Sequence, residues 1–228
     1  MNFANTIDHL AITVRSLEKA HELLVDRMGL PLAWTPDQTA GQSFGINLGG
    51  TNLEVLDTGS DGDRGEVYFS PGTDFDEVLE SLASLGLTVS MEADDDSHRA
   101  ARLATEACSE TGLYLYESNF DLGTWRDQLR QDYHRFDGGR YAIDNLAYIV
   151  LECQSYEAIG LFLSSLSESP NEEEGVFDLG GITLKLVRGR CTGLRELVFR
   201  QRPGAPGYSP SNAVILSQSG VNIRLLAA

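Results

Sequence analysis

A few residues in strand-like segments of this sequence could do chemistry. His9 sits in Ile7-Asp8-His9-Leu10-Ala11-Ile12-Thr13-Val14, which alternates as a β-strand does, and Glu54 sits between the apolar Leu53 and Val55 of a second such segment. Alternate side chains of a strand share a face, so Asn52, Glu54 and Leu56 fall opposite Leu53 and Val55. A glutamate in that setting suits a hydrated or metal-filled cleft. An imidazole with carboxylates suits Zn, Fe(II), Mn, Co or Ni, and residue type does not choose among them. The competing reading is a histidine hydrogen-bonded at a strand end and a glutamate facing solvent. Tyr114 and Tyr116 offer phenols that could donate to a substrate oxygen, or could simply pack.

The elements that must position these residues form a repeat. After the His9 strand, Ser16 can cap a helix with Leu17, Ala20, Leu23, Leu24 and Met28 at helical spacing, ended by Gly29-Leu30. Short strands follow at Leu32–Trp34, Ser43–Leu48 and Thr51–Leu56, the last two joined by a turn at Gly49-Gly50. The unit reads β-α-β-β-β. It returns with strand Glu66–Ser70, a helix capped by Thr73 and ended by Gly86, and strands at Leu87–Ser90, Ala101–Ala104 and Leu113–Tyr116. His9 to Glu66, Ser16 to Thr73 and Gly29 to Gly86 are all shifts of 57 residues, so Glu66 takes the place of His9 in the second copy.

A third copy opens at Ile143-Asp144-Asn145-Leu146-Ala147, continues with a helix after Ser155, and closes with a hairpin over Asp178–Leu186 that matches Asn47–Val55 at a shift of 131. A fourth shows strands at Arg195–Phe199 and Gly220–Leu225, with Pro203, Gly204, Pro206, Gly207 and Pro210 where its helix would stand. Those residues oppose a helix, so this copy is expected to lack one. Between copies two and three, Leu122, Trp125, Leu129, Tyr133 and Phe136 recur at three- and four-residue steps and predict an amphipathic connector helix near 121–136. The expected division is 1–119, a connector over 120–140, and 141–228.

The Asp8-His9-Leu10-Ala11-Ile12 opening, the Met28-Gly29-Leu30 helix end and the Leu48-Gly49-Gly50-Thr51-Asn52-Leu53-Glu54-Val55 hairpin resemble the vicinal oxygen chelate superfamily. That superfamily includes glyoxalase I, bleomycin- and fosfomycin-resistance proteins, methylmalonyl-CoA epimerases and extradiol dioxygenases. The resemblance covers nearly the whole chain and implies an α+β fold of paired βαβββ modules, forming two incomplete barrels. It implies metal ligands at His9 and Glu54, with Glu66 where a second histidine is common, and hence an open site of His9, Glu54 and Glu66 for a divalent metal. Glu66 would also move a proton. Tyr114, or Tyr116, stands where a last-strand glutamate is usual and would serve as a catalytic hydrogen-bond donor. The corresponding positions of the second half are Asn145, Lys185, Glu196 and Arg224. Lys185 and Arg224 would repel a cation and Glu196 could pair with them, so that half is expected to be scaffold.

The implied function is a metal-assisted lyase or isomerase on a small oxygen-bearing organic substrate. A ring-cleaving dioxygenase is less favoured, because such sites usually carry two histidines and one glutamate. The alternative is a metal-free protein of the bleomycin-resistance type, holding an aromatic or cationic ligand with Trp34, Tyr68, Tyr114 and Tyr116. The superfamily pairs modules within a chain or across a homodimer.

Composition narrows the rest. Seventeen basic against 34 acidic residues give a net charge of −17, which repels nucleic acid and anionic membranes. No apolar run approaches the ~20 residues of a membrane helix. No basic and apolar leader opens the chain, and Cys108, Cys153 and Cys191 show no paired spacing, which predicts a cytoplasmic protein with packed thiols. His21, His98 and His134 are expected at the surface. No phosphate-binding loop or serine-hydrolase motif is present.

Overall fold

The computed structural model describes residues 4–36, 42–57, 65–106, 111–119, 121–133, 135–136, 139–167, 170–171, 174–190, 192–204, 213–218 and 220–226. The fold is α+β. The first sheet holds β1 (Ala4–Val14), β2 (Leu32–Trp34), β3 (Ser43–Asn47), β4 (Asn52–Asp57), β5 (Glu66–Pro71), β6 (Leu87–Asp94), β7 (His98–Thr105) and β8 (Leu113–Ser118), in the order β2-β3-β4-β1-β5-β8-β7-β6. The second holds β9 (Ile143–Cys153), β10 (Val176–Leu179), β11 (Ile182–Arg188), β12 (Gly193–Gln201), β13 (Ala213–Gln218) and β14 (Val221–Leu226), in the order β10-β11-β9-β12-β14-β13. Neither sheet closes on itself in the described pairing.

Each copy of the repeat is tied in the same way. Its first strand pairs in parallel with its last: β1 with β4, β5 with β8, β9 with β11 and β12 with β14. Parallel pairing requires a crossover between the two strands. In the first three copies that crossover begins with a helix: α1 (Leu17–His21), α2 (Phe75–Leu82) and α4 (Tyr156–Leu166). In the fourth, Pro203 and Gly204 lie in a turn, while Pro206, Gly207 and Pro210 fall outside the described residues.

By packing, the chain forms two compact units, each assembled from three stretches. One comprises Met1–Asp8, Glu66–Phe120 and Ile149–Arg195; the other comprises His9–Gly65, Asp121–Tyr148 and Glu196–Ala228. In the first unit, β5 and β8 bury Val67, Phe69, Leu113 and Leu115 together with Phe75, Val78 and Leu82 of α2. Phe69 meets Phe162 of α4 edge-on at 5.3 Å between ring centres, and Gly112 N–H donates to the Thr192 carbonyl at 2.7 Å. Cys153 is fully buried here, and burial pushes its thiol up to about 12. Cys108 and Cys191 lie outside the described residues.

In the second unit, β1, β3 and β4 bury Leu10, Ile12, Val14, Phe44, Ile46, Leu53 and Val55. The connector helix α3 (Leu122–Tyr133) belongs to this unit. Asn47 Nδ2 donates to its Leu129 carbonyl at 2.8 Å. After the connector, Arg202 bonds the carbonyls of Phe136, Ala142 and Ile143 through its guanidinium and backbone N–H.

Three local features differ from expectation. Asp74, rather than Thr73, caps α2: its carboxylate accepts from the Asp76 and Glu77 N–H groups at 3.0 and 3.3 Å, and an ionised carboxylate suits a helix N-terminus better than a hydroxyl. Ser155 holds the N-cap place of α4 without a capping bond, because its hydroxyl pairs with that of Thr105 at 2.8 Å. The first helix keeps α geometry only to His21 and continues over Glu22–Arg27 as a π-helix, with Met28 N–H reaching the Leu23 carbonyl at 2.9 Å. Ala20, Leu24 and Met28 recur every fourth residue, a longer step than the α-helical 3.6, and the wider turn keeps all three buried.

Gly29 (φ +69°) and Gly139 (φ +52°) cross with no room for a side chain: a Cβ on Gly139 would stand 2.2 Å from the Met28 carbonyl oxygen. Gly86 is also left-handed, at φ +73°, but a Cβ there meets nothing within 4 Å. In urea melts, Gly86→Ala should therefore cost about 1 kcal/mol from backbone strain alone. Gly139→Ala should cost about 2–4 kcal/mol, because clash is added to strain. Equal losses for the two variants would count against a close backbone crossing.

Candidate functional site

A connected polar cluster on a sheet face lies in the first unit and grows from strand register. Glu66 and Tyr68 alternate on β5 and so share a face. Tyr68 is the ladder partner of Tyr114 on β8, and Tyr114 is the partner of Arg102 on β7. The opposite face of the same strands is the buried side formed by Val67, Phe69, Leu113 and Leu115. The repeat therefore presents Glu66, Tyr68, Tyr114 and Arg102 together.

Their side chains form one connected network. Tyr68 Oη donates to Glu66 Oε2 at 2.8 Å, and Tyr114 Oη donates to Glu66 Oε1 at 3.2 Å. Arg102 Nε donates to Tyr114 Oη at 3.0 Å and lies 3.5 Å from Glu92 Oε1. The Tyr68 and Tyr114 rings stack with centroids 4.6 Å apart and planes 10° from parallel, and Tyr116 meets Tyr68 edge-on at 5.8 Å. His98 extends this aromatic tier, tilted against Tyr116 at 5.8 Å, and its Nδ1 lies 3.4 Å from Asp95. Burial first, and the Glu66 charge second, push the Tyr114 phenol up to about 12; Arg102 pulls the other way. Tyr114 is therefore a neutral donor at any physiological pH.

His9 and Glu54 lie in the second unit. Ala11 pairs with Glu54 across the parallel β1–β4 ladder, and His9 is two residues before Ala11, so His9 and Glu54 share a face. That face is opposite the fully buried Leu10, Leu53 and Val55, and both side chains are half-buried. Glu54 also pairs with Gly45 on β3, and the Trp34 ring lies flat over Gly45, where a Cβ would come within 2.2 Å of it. The Trp34 indole N–H is buried without a hydrogen-bond partner among the described residues.

Sequence reasoning anticipated Glu66, Tyr68 and Tyr114 as members of a cleft and missed Arg102. The signal was available: Arg102 stands between Ala101 and Leu103 of a predicted strand, just as Glu54 stands between Leu53 and Val55. In the second half, Glu196 Oε1 accepts from Arg224 Nη2 at 2.9 Å, so the glutamate there is satisfied by arginine. His21 is half-buried beside Phe44 rather than lying free on the surface, and His134 is outside the described residues.

No protein-family model matches the sequence, and no curated protein matches it. Solved structures do. A variant of homoprotocatechuate 2,3-dioxygenase from B. fuscum is 12% identical with a TM-score of 0.63, over 98% of this chain and 71% of that one. The same enzyme from Arthrobacter globiformis is 13% identical with a TM-score of 0.60, over 100% and 81%. The 2,3-dioxygenase LapB from Pseudomonas sp. KL28 is 12% identical with a TM-score of 0.55, over 100% and 93%. These are extradiol dioxygenases, and the chain has the vicinal oxygen chelate fold that they share. At such identities the likeness is one of fold.

The surroundings of Glu66 do not fit a resident divalent cation. Both carboxylate oxygens accept phenol hydrogens, and a guanidinium stands one bond away. Among the described residues no group of three or more His, Cys, Asp or Glu is placed to hold a metal.

The network predicts a titration order. By ultraviolet or NMR titration, Tyr114 should ionise near pH 12 in the folded protein, against ~10 unfolded. Its contribution to stability is complete below pH 10 and is lost as pH rises through about 12. Glu66→Gln should lower the Tyr114 midpoint and Arg102→Met should raise it. Shifts in the reverse directions would refute the assigned network.

Proposed function

We propose that this chain binds a small, flat, oxygen-bearing aromatic molecule on the tyrosine face of β5 and β8, without a resident metal. The observation that carries the reading is the Glu66 carboxylate held between the stacked phenols of Tyr68 and Tyr114, with Arg102 at its side. A carboxylate offers about four acceptor sites, and two are filled, so Glu66 can still accept a ligand hydroxyl or ammonium hydrogen. The half-exposed Tyr68 and Tyr116 rings offer aromatic surface, whereas Tyr114 is buried between Tyr68 and Arg102, and the acidic charge of the chain favours neutral or cationic ligands. On this reading residues 1–119 are the ligand-binding half. Residues 141–228, with the Glu196–Arg224 pair and Lys185 at the corresponding positions, are the scaffold half.

The test is calorimetric titration with 4-methylcatechol and with tyramine as probes. Tyr68→Leu and Glu66→Gln should each weaken binding about tenfold, the size expected for loss of one stacked ring or one charge-assisted hydrogen bond. His9→Ala should leave affinity unchanged. Unaltered affinity in both Tyr68→Leu and Glu66→Gln would remove the proposal.

A second reading keeps a metal-assisted enzyme on an oxygen-bearing substrate. It is supported by the shared face of His9 and Glu54 and by the ring-cleaving neighbours of the same fold. Zn, Mn, Fe, Co or Ni would then raise the melting temperature of wild type by mass action, and this increase would vanish in His9→Ala. Equal melting of the two proteins in all five metals would eliminate that reading.

A further inference from the structure

A cavity of about 490 Å³ lies in the second unit, between the first helix and β3, and no role has been assigned to it. Its size is that of a small-molecule pocket. Leu17 and Pro36 supply half-exposed apolar surface over the fully buried Phe44, and Glu18, Glu22 and Asp26 supply exposed carboxylates. The π-helical turn shapes this rim. It brings residues five apart together: His21 Nδ1 lies 3.7 Å from Asp26 Oδ2, and Glu22 Oε1 accepts from Arg27 Nη2 at 2.6 Å. An α-helix would carry residues five apart to different sides. π-Helical turns are rare and recur at functional sites.

The rim charges are not equivalent. Arg27 neutralises Glu22, and Asp26 is shared with an imidazole whose ring meets Phe44 edge-on at 5.5 Å. Glu18 forms no ion pair with a described residue. The pocket thus joins apolar surface to exposed carboxylates, with no Lys or Arg among its described lining residues.

We infer that this cavity binds a small organic cation: a primary amine on an aromatic or aliphatic body, with the body against Leu17 and Pro36 and the ammonium at the carboxylate rim of Glu18, Glu22 and Asp26. An anion is repelled there, and a neutral alcohol of the same shape gains only the apolar contact. This site is distinct in residues and in packing unit from the Glu66–Tyr114 cluster, and it does not rest on the function proposed for that cluster.

The experiment is an amide NMR titration of the full chain at low ionic strength with phenethylamine, 2-phenylethanol and phenylacetate. Phenethylamine should shift the amides of Leu17–Asp26 and Phe44, bind about tenfold more tightly than the alcohol, and leave phenylacetate without effect. The double variant Glu18→Gln/Asp26→Asn has its substitutions on the open rim, and its unperturbed spectrum would verify its fold. It should bind phenethylamine no better than wild type binds the alcohol. Equal affinity for amine and alcohol, an unchanged affinity in the double variant, or shifts confined to Tyr68 and Tyr114 would each overturn the inference. The last of these outcomes would leave the tyrosine-face proposal standing.

Discussion

The parallel pairing of first and last strands within each βαβββ copy is the constraint on which the rest depends. It fixes which residues far apart in sequence become lateral neighbours: Ala11 with Glu54, Tyr68 with Tyr114, Val150 with Lys185 and Val198 with Arg224. Parallel strands cannot be joined by a tight turn, so each pair needs the intervening helix and antiparallel strands as its crossover. The crossover helices in turn need apolar residues on one face of the strands, which leaves the opposite face for polar residues. Glu54 between Leu53 and Val55, and Tyr68 between Val67 and Phe69, are products of that single rule.

The rule also explains what was legible in the sequence. Strand alternation and glycine turns give the elements, and constant offsets between copies give their equivalence. Glu66 could thus be placed in His9's position without a structure, and the Tyr68–Tyr114 ladder then confirms which tyrosine occupies the last-strand position. Details that depend on competition between side chains were not legible. Ser155 and Asp74 are both good caps by type. Ser155 is drawn to Thr105 from another copy, whereas Asp74 outcompetes its neighbour Thr73. The π-turn is visible only in retrospect, as a four-residue apolar step in which Leu23 also fitted an ordinary α-helix.

The candidate sites were harder to read because type and position carry different information. Position says that Glu66 and Tyr114 face the same side as neighbouring ladder partners. The offset from His9, read with the family resemblance, suggested that Glu66 would hold a metal. The deciding group was Arg102, on β7 and absent from any repeat comparison, because no charged residue marks the equivalent place at Gly45. A guanidinium beside Tyr114 and Glu92 brings positive charge to the same face as Glu66, which disfavours a cation there.

The same replacement recurs in the second sheet, where Arg224 stands against Glu196 across the β12–β14 ladder. Two copies have thus arrived at a carboxylate on the first strand and an arginine contact, from different strands. In the fourth copy the arginine comes from the last strand itself; in the second copy the last strand offers Tyr114 and the arginine reaches in from β7. The difference matters for chemistry. An Arg–Glu pair closes a site, since each partner neutralises the other. Interposing a neutral phenol between Arg102 and Glu66 keeps the two charges apart, with Glu66 receiving hydrogen bonds from phenols instead of a direct ion pair. The Glu66 carboxylate accepts from two phenols rather than directly from Arg102, which sets the second copy apart from the fourth, where Glu196 accepts directly from Arg224.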